Sequence, residues 1–336
     1  MLRGDTVRNY ILLGDSDNAW HNLAVEALLF ETLGKSDRVL YLWQNRNTVV
    51  IGRHQNAWKE CRVKLLEDEG GRLARRSSGG GAVFHDMGNL NFSFVLPRGA
   101  YDVTRQLEVV RRGVARFGIN AQFTGRNDLV IGGSGAKFSG NAFRFSGDAA
   151  LHHGTIMVNV DMDRLGRYLA PDGGKLKAKG IDSVRARVAN LAGLNPDITI
   201  PALIGALMDA FADEYGTTEG LTMAALDADR LAALEGQYAS WDFRLGKALP
   251  FDATLQHRFD WGGVTLELSL KGGAVASARV YSDAMDEAMI ARLAPALTAA
   301  RYENRALGAA LRALGHPQAD ELAEWLERTD LGGHQV

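Results

Sequence analysis

Twelve consecutive residues, Arg75-Arg76-Ser77-Ser78-Gly79-Gly80-Gly81-Ala82-Val83-Phe84-His85-Asp86, hold the densest chemistry in this chain. Three successive glycines expose backbone N–H groups without side chains, a geometry suited to holding an anion. The two arginines before them are planar donors for phosphate or carboxylate. Glycines of this kind also build plain hairpin turns; the arginines, the serine pair and the abrupt change into an apolar strand favour the anion. A second stretch, Gly135-Ala136-Lys137-Phe138-Ser139-Gly140-Asn141-Ala142, sets one lysine among aromatic and small residues. Lys137 reads as pointing inward, where lysine is rare unless paired, although a lone lysine more often snorkels at a sheet edge. In Gly125-Arg126-Asn127-Asp128 the carboxylate of Asp128 can help hold Mg²⁺ beside a nucleotide; a bare Asx turn is the alternative. His152 and His153 are neighbours in a strand, so they face opposite ways and do not form a chelating pair. Cys61 is most simply a packed thiol.

Gly-rich loop, arginine, inward lysine and possible Mg²⁺ ligand together are the equipment for ATP-dependent activation of a carboxylate. A carboxylate and an α-phosphate repel until cations and amide dipoles neutralise them. The residues do not name the acid. Other signatures fail. Gly34-Lys35-Ser36 ends like a phosphate loop, but Leu29 stands where the first glycine belongs. Gly132-Gly133-Ser134-Gly135-Ala136 lacks the final glycine of a nucleophile elbow. No HExxH occurs, and the eight histidines are dispersed.

The elements that must position these residues can be read from periodicity. Strands are expected at 8–13, 39–43, 48–52, 73–76 and 82–85. Another runs through Leu90, Phe92, Phe94 and Leu96, whose alternation with Asn89, Asn91 and Ser93 predicts one buried face. A helix starts near Trp20 after the cap-rich Gly14-Asp15-Ser16-Asp17-Asn18, and a basic amphipathic helix spans 103–117. Short strands follow at 128–131, 137–145 and 152–158, then a helix over 162–169 capped by Asp161. The stretch 171–190, with Gly173, Gly174, Lys175, Lys177, Lys179, Arg185 and Arg187, loses periodicity and reads as a mobile basic loop. A helix covers 200–215 and a junction falls at 241–252. Three strands (254–260, 264–271, 274–281) and helices over 286–328 then make a second, small α+β unit. The expected domains are 1–248 and 253–336.

Composition agrees with a two-domain globular protein. At 336 residues, about two domains are expected. Lys and Arg number 38 against 40 Asp and Glu, a net charge of −2 that argues against a surface devoted to nucleic acid. Glycine is 38 of 336, about 11% against a usual ~7%. A single cysteine excludes an intramolecular disulfide and any cysteine-cluster metal site. No apolar run approaches a membrane span, and the aspartates of residues 1–20 argue against a signal peptide. The expected compartment is the cytoplasm.

The sequence resembles the lipoate–protein ligase A family over nearly its whole length. The resemblance is carried by Asn22-Leu23-Ala24-Val25-Glu26, Thr48 to Arg53, Asn56 to Cys61, Arg72 to Asp86, Gly125 to Leu129, Lys137 with Ser139-Gly140, His152 to Thr155, Lys179 to Arg185 and Trp261 to Val264. The Arg75–Asp86 run is highly specific to this family; the lysine is shared with biotin ligases and octanoyltransferases. The resemblance implies an α+β fold: a biotin-synthetase-like mixed sheet, related to class II aminoacyl-tRNA synthetases, with flanking helices and a small C-terminal domain. It implies two half-reactions, (R)-lipoate plus Mg-ATP to lipoyl-AMP and pyrophosphate, then transfer to a lysine of a lipoyl domain. Implied acceptors are the E2 subunits of 2-oxoacid dehydrogenases and the glycine-cleavage H protein. Carried over by position, Arg76, Gly81, Ala82, Val83 and Phe84 contact ATP, and Lys137 contacts lipoate and nucleotide. Ser78 and Asn127 match further adenylate contacts, and 175–187 matches the adenylate-binding loop. Gly132 to Ala136 departs from the family, which has charged residues before this lysine. Two alternatives remain open: octanoyl or lipoyl transfer through a thioester, for which Cys61 is the only thiol, and a non-catalytic protein holding lipoate or a nucleotide.

Overall fold

The computed structural model describes residues 7–33, 35–124, 128–169, 188–245, 253–271, 273–329 and 331. Packing divides the chain into two compact units. One comprises Met1–Ile51, Ala57–Arg76 and Ala82–Arg244; the other comprises Gly52–Asn56, Ser77–Gly81 and Leu245–Val336.

The first unit is built on strands β1 (Asn9–Leu13), β2 (Arg38–Trp43), β6 (Asn89–Pro97), β7 (Ala121–Thr124), β8 (Asp128–Ile131), β9 (Lys137–Ser146), β10 (Ala149–Met157) and β11 (Thr218–Leu221). They form one eight-stranded sheet in the order β11-β1-β2-β6-β10-β9-β8-β7. β11, β1 and β2 run parallel, and the remaining neighbours antiparallel, so the sheet is mixed. A small sheet, β4-β3-β5, joins β3 (Thr48–Ile51), β4 (Arg72–Arg75) and β5 (Val83–His85). Among the described residues, helices α1 (Ala19–Thr32), α2 (Ala57–Glu60), α3 (Val63–Asp68), α4 (Val103–Ala115), α5 (Met162–Tyr168), α6 (Ile200–Tyr215), α7 (Ala228–Ala239) and α8 (Trp241–Arg244) belong to it.

Local chemistry sets the helix starts. Asn18 caps α1 by accepting from the Trp20 N–H at 3.1 Å. Asp102 caps α4 through the N–H groups of Thr104 and Arg105, and Asp161 caps α5 as expected. Leu107, Val110 and Val114 of α4 and Leu203, Leu207 and Phe211 of α6 pack one face of the sheet; Leu23, Val25, Leu28 and Leu29 of α1 lie in the core on the other face.

One expectation fails here. β6 is buried along both faces, not one. It is an interior strand with helices on either side, so Leu90, Phe92, Phe94 and Leu96 enter the α4/α6 core while Asn89, Asn91 and Ser93 are buried as well. β7, β11 and α7 were not anticipated; each is short or weakly periodic, and neighbouring elements hold it in place.

The second unit holds β12 (Ala253–Phe259), β13 (Gly262–Lys271) and β14 (Ala274–Ser282) as an antiparallel sheet, with α9 (Glu287–Leu297), α10 (Asn304–Arg312) and α11 (Pro317–Arg328). Leu255, Leu266, Leu268, Leu293, Leu307, Leu322 and Leu326 fill its core. The two short loops of this unit pack on the end of β14 and the segment after it. Gly80 N–H donates to Ala284 O at 3.0 Å, and Ser282 N–H donates to His54 O at 2.7 Å. A Cβ on Gly79 would lie 2.3 Å from Ala284 O. The chain is thus a large mixed sheet with flanking helices followed by a small α+β unit. No helix among the described residues is long and apolar enough to cross a membrane.

Candidate active site

A buried polar strip crosses the α1 face of the large sheet. Strand register sets Tyr41, Ser93, His153 and Ala142 in one row and Trp43, Asn91 and Thr155 in the next. Successive side chains alternate between faces, so these residues share a face while His152 and Asn141 take the opposite one. Glu26 of α1 reaches down to this strip. Its Oε2 accepts from Ser93 Oγ at 2.5 Å and lies 2.8 Å from His153 Nδ1, while Trp43 Nε1–H donates to Ser93 Oγ at 3.0 Å. Glycine is required at position 154, directly after the two histidines, since a Cβ there would sit 2.5 Å from Phe92 and from Asn141 Oδ1.

Lys137 is brought to the same face by a β-bulge. Asp128 opposes Gly140 and Leu129 opposes Ser139, but Val130 opposes Lys137; Phe138 is skipped. Unbroken alternation would have turned Lys137 away with Ser139. The lysine instead lies beside Gly140, where a Cβ would come within 2.9 Å of Cε and Nζ, and Nζ stands 2.7 Å from Asp128 Oδ1. Its carbonyl accepts from Ala189 N–H at 2.9 Å.

Arg76 is buried at 7% exposure, and Nη1 donates to Val50 O at 3.3 Å. Burial pulls its pKa down to about 10, and the charge of Glu26 opposes that shift, so the guanidinium stays protonated at neutral pH. His85 is held to about 3 by burial, with Arg76 and His153 adding to the effect. It is therefore neutral; Asn45 Nδ2 lies 3.1 Å from its Nδ1, and its Nε2 is buried with no hydrogen-bond partner among the described residues. Asn91 Nδ2 and Ser139 Oγ are buried in the same condition.

The remaining sequence candidates are dispersed. Val83 and Phe84 lie in β5, with Ala82 just before it. The Phe84 ring is buried against Tyr168, centroids 5.6 Å apart, which leaves its backbone as the part able to meet a ligand. Ser78 and Gly81 belong to the second unit. Ser78 is buried, and its carbonyl accepts from Arg53 N–H; a side chain at Gly81 would meet nothing within 4 Å. The idea of three equivalent glycines cradling an anion needs correction: Gly80 N–H is already used by Ala284, and Gly79 serves a close backbone approach. Asn127, Lys175 to Arg187 and most of the 241–252 junction lie outside the described residues. Among the described residues no group of three or more His, Cys, Asp or Glu could hold a metal. Cys61 is buried, and burial pushes its thiol up to about 12, so it is not a thiolate at neutral pH.

Sequence reasoning missed Glu26, Asn91, Ser93, His153 and Gly140 as parts of this strip. The available signal was a lone carboxylate inside the apolar run Leu23–Phe30, and a polar alternation in a strand otherwise rich in Phe and Leu. An apolar groove of about 470 Å³, lined by Leu13, Met208, Leu221 and Met223, lies at the β11 edge and includes none of these residues.

Fold and site together define a ligase built on a mixed sheet with a small α+β C-terminal unit. The chain belongs to the lipoate–protein ligase family: residues 18–212 match the lipoyl protein ligase A/B catalytic domain, and 248–326 match the bacterial lipoate protein ligase C-terminus. It is 40% identical over 331 residues to lipoate-protein ligase A of Psychrobacter cryohalolentis, covering 94% of this chain and 97% of the relative. Among solved structures it is similar to P. falciparum LipL1 in complex with lipoate, with a TM-score of 0.85, 26% identity and coverage of 96% and 100%. The bi-partite lipoate protein ligase of Thermoplasma acidophilum, studied with its E2 lipoyl domain, matches with a TM-score of 0.65, 26% identity and coverage of 73% and 99%. A lipoate-protein ligase A bound with ATP matches with a TM-score of 0.60, 25% identity and coverage of 71% and 98%.

Proposed function

We propose that this enzyme activates lipoate with ATP to lipoyl-AMP, releasing pyrophosphate, and then transfers the lipoyl group to a lysine of a lipoyl domain. The observation that carries this reading is Lys137, turned by its bulge onto the buried polar face in a chain matched along its length by lipoate ligases. The Lys137 ammonium bridges the lipoate carboxylate and the α-phosphate, offsets their repulsion and aligns the in-line attack. Arg76, the backbone of Gly81 to Phe84, Ser78 and Asn127 hold the nucleotide. In the second step the acceptor amine attacks the acyl carbon of the anhydride, and AMP leaves; no protein nucleophile takes part.

Mg²⁺ enters with ATP. An ion that keeps its waters takes its other ligands from phosphate oxygens. Its contribution is to neutralise charge on the leaving pyrophosphate. The acceptors are the lipoyl domains of 2-oxoacid dehydrogenase E2 subunits and the H protein, and the setting is the cytoplasm. The thioester alternative loses support from the buried, protonated Cys61. Incubating an apo lipoyl domain with enzyme, lipoate and ATP, followed by mass spectrometry, tests the proposal. A lipoyl mass increment on the acceptor lysine, dependent on ATP, is expected; an unmodified acceptor overturns it.

A further inference from the structure

We infer that Asp128 is a positioning residue that occupies the place of the substrate carboxylate and surrenders Lys137 to it. The inference rests on the ligation reading above and gives that site an internal competitor. Four observations carry it. Asp128 Oδ1 lies 2.7 Å from Lys137 Nζ, with the side chains 31% and 38% exposed. Among the described residues Oδ1 makes no aligned hydrogen bond, so within them the pair is held by charge. The bulge at Phe138 turns Lys137 toward Asp128 and not toward Ser139. Gly140, directly opposite Asp128, leaves the space in which the ammonium lies.

A pair about a third exposed on each side, with no aligned hydrogen bond among the described residues, is weak. A second carboxylate, entering with its own apolar chain buried, can take the ammonium at little cost. Asp128 therefore keeps Lys137 extended toward the reacting position between turnovers and withdraws as lipoate arrives. Two consequences follow in opposite directions. Removing the carboxylate removes a competitor, which lowers KM for lipoate. It also leaves the lysine free to wander, which lowers kcat. A metal ligand at the same position would produce a different pattern, a higher Mg²⁺ requirement.

The test compares wild type, Asp128→Asn, Asp128→Ala and Asp128→Glu in pyrophosphate release with lipoate and ATP, at varied lipoate and at varied Mg²⁺. Expected for the Asn and Ala variants is a KM for lipoate lower by roughly two- to five-fold. Their kcat should fall by about tenfold, with half-saturating Mg²⁺ unchanged. Asp128→Glu should return both constants toward wild type. An unchanged or raised KM for lipoate in the Asn and Ala variants overturns the inference, and a rise in half-saturating Mg²⁺ reassigns the residue to the metal. If wild type releases no pyrophosphate, the ligation reading itself falls, and the inference with it.

Discussion

Gly140 gives Lys137 room, and that sets the sharpest expectation about a single residue. A methyl at position 140 would press on the tip of the lysine at 2.9 Å. A flexible tip yields cheaply, so Gly140→Ala should leave the melting temperature unchanged. The ammonium moves, however, and a displacement near 1 Å can cost on the order of 10²-fold in rate. Lipoyl-AMP formation measured beside a thermal melt checks this; full activity would show that the lysine does not act from this position. Lys137→Ala should fold normally and slow adenylation by about 10²–10³, the loss of one preorganised charge where the new bond forms. Cys61 gives the control. Its thiol is buried and protonated, so Cys61→Ser should keep ligation within a few-fold of wild type, and an acyl group trapped on Cys61 would contradict the anhydride route.

Between elements, Glu26 ties α1 to the centre of the sheet through Ser93 on β6 and His153 on β10. It also supplies the negative charge felt by the buried Arg76. Glu26→Gln keeps the shape and removes the charge, leaving a buried guanidinium less compensated. The expected cost is about 3 kcal/mol, within the range for breaking a buried pair from one side, and urea unfolding at neutral pH measures it. Gly154 sets a steric limit on the opposite face of the same strand. Its α-hydrogen occupies a gap bounded by Phe92, Asn141 and Gly140. Gly154→Ala should cost about 1–3 kcal/mol by overpacking, with no flexible neighbour able to yield as Lys137 can.

At the scale of the molecule, two buried histidines make stability depend on pH. His85 and His152 are held neutral, each to about 3, chiefly by burial. His152 spends its ring nitrogens on the Gln106 and Asn141 side chains, at 3.2 and 2.9 Å. In the unfolded chain both titrate near ~6.5. Between about 3 and ~6.5 the unfolded state binds more protons, so stability is complete above that window and declines as pH falls through it. At pH 5 the loss amounts to about 2 kcal/mol for each histidine. Urea midpoints at pH 7.5 and pH 5 test this, and His152→Gln should flatten the dependence. An equal midpoint at both pH values in wild type would contradict the neutral, buried state.

The strands β1 to β6 and β8 to β10, the two capped helices at Asn18 and Asp161 and the three strands with trailing helices of the second unit were legible without coordinates. Periodicity and capping are local properties, written in neighbouring residues. The Arg75–Asp86 run and Lys137 also announced themselves, because three glycines beside two arginines and a lone lysine in a strand are unusual compositions. What the local pattern does not encode is which face lies against what. Asn89, Asn91 and Ser93 alternate as a solvent face would, yet they are buried, because β6 is an interior strand and α1 on that side brings Glu26 to Ser93. Strict alternation would send Lys137 to the wrong face, and only pairing with β8, which skips Phe138, reverses it. Gly79 and Gly80 look like part of an anion cradle until Ala284, two hundred residues later, is seen to claim them. Residue types thus pointed to a carboxylate-activating chemistry and to Lys137 as its proposed cation. The direction in which that cation points depended on register and on contacts between distant segments, which exist only once the chain has folded.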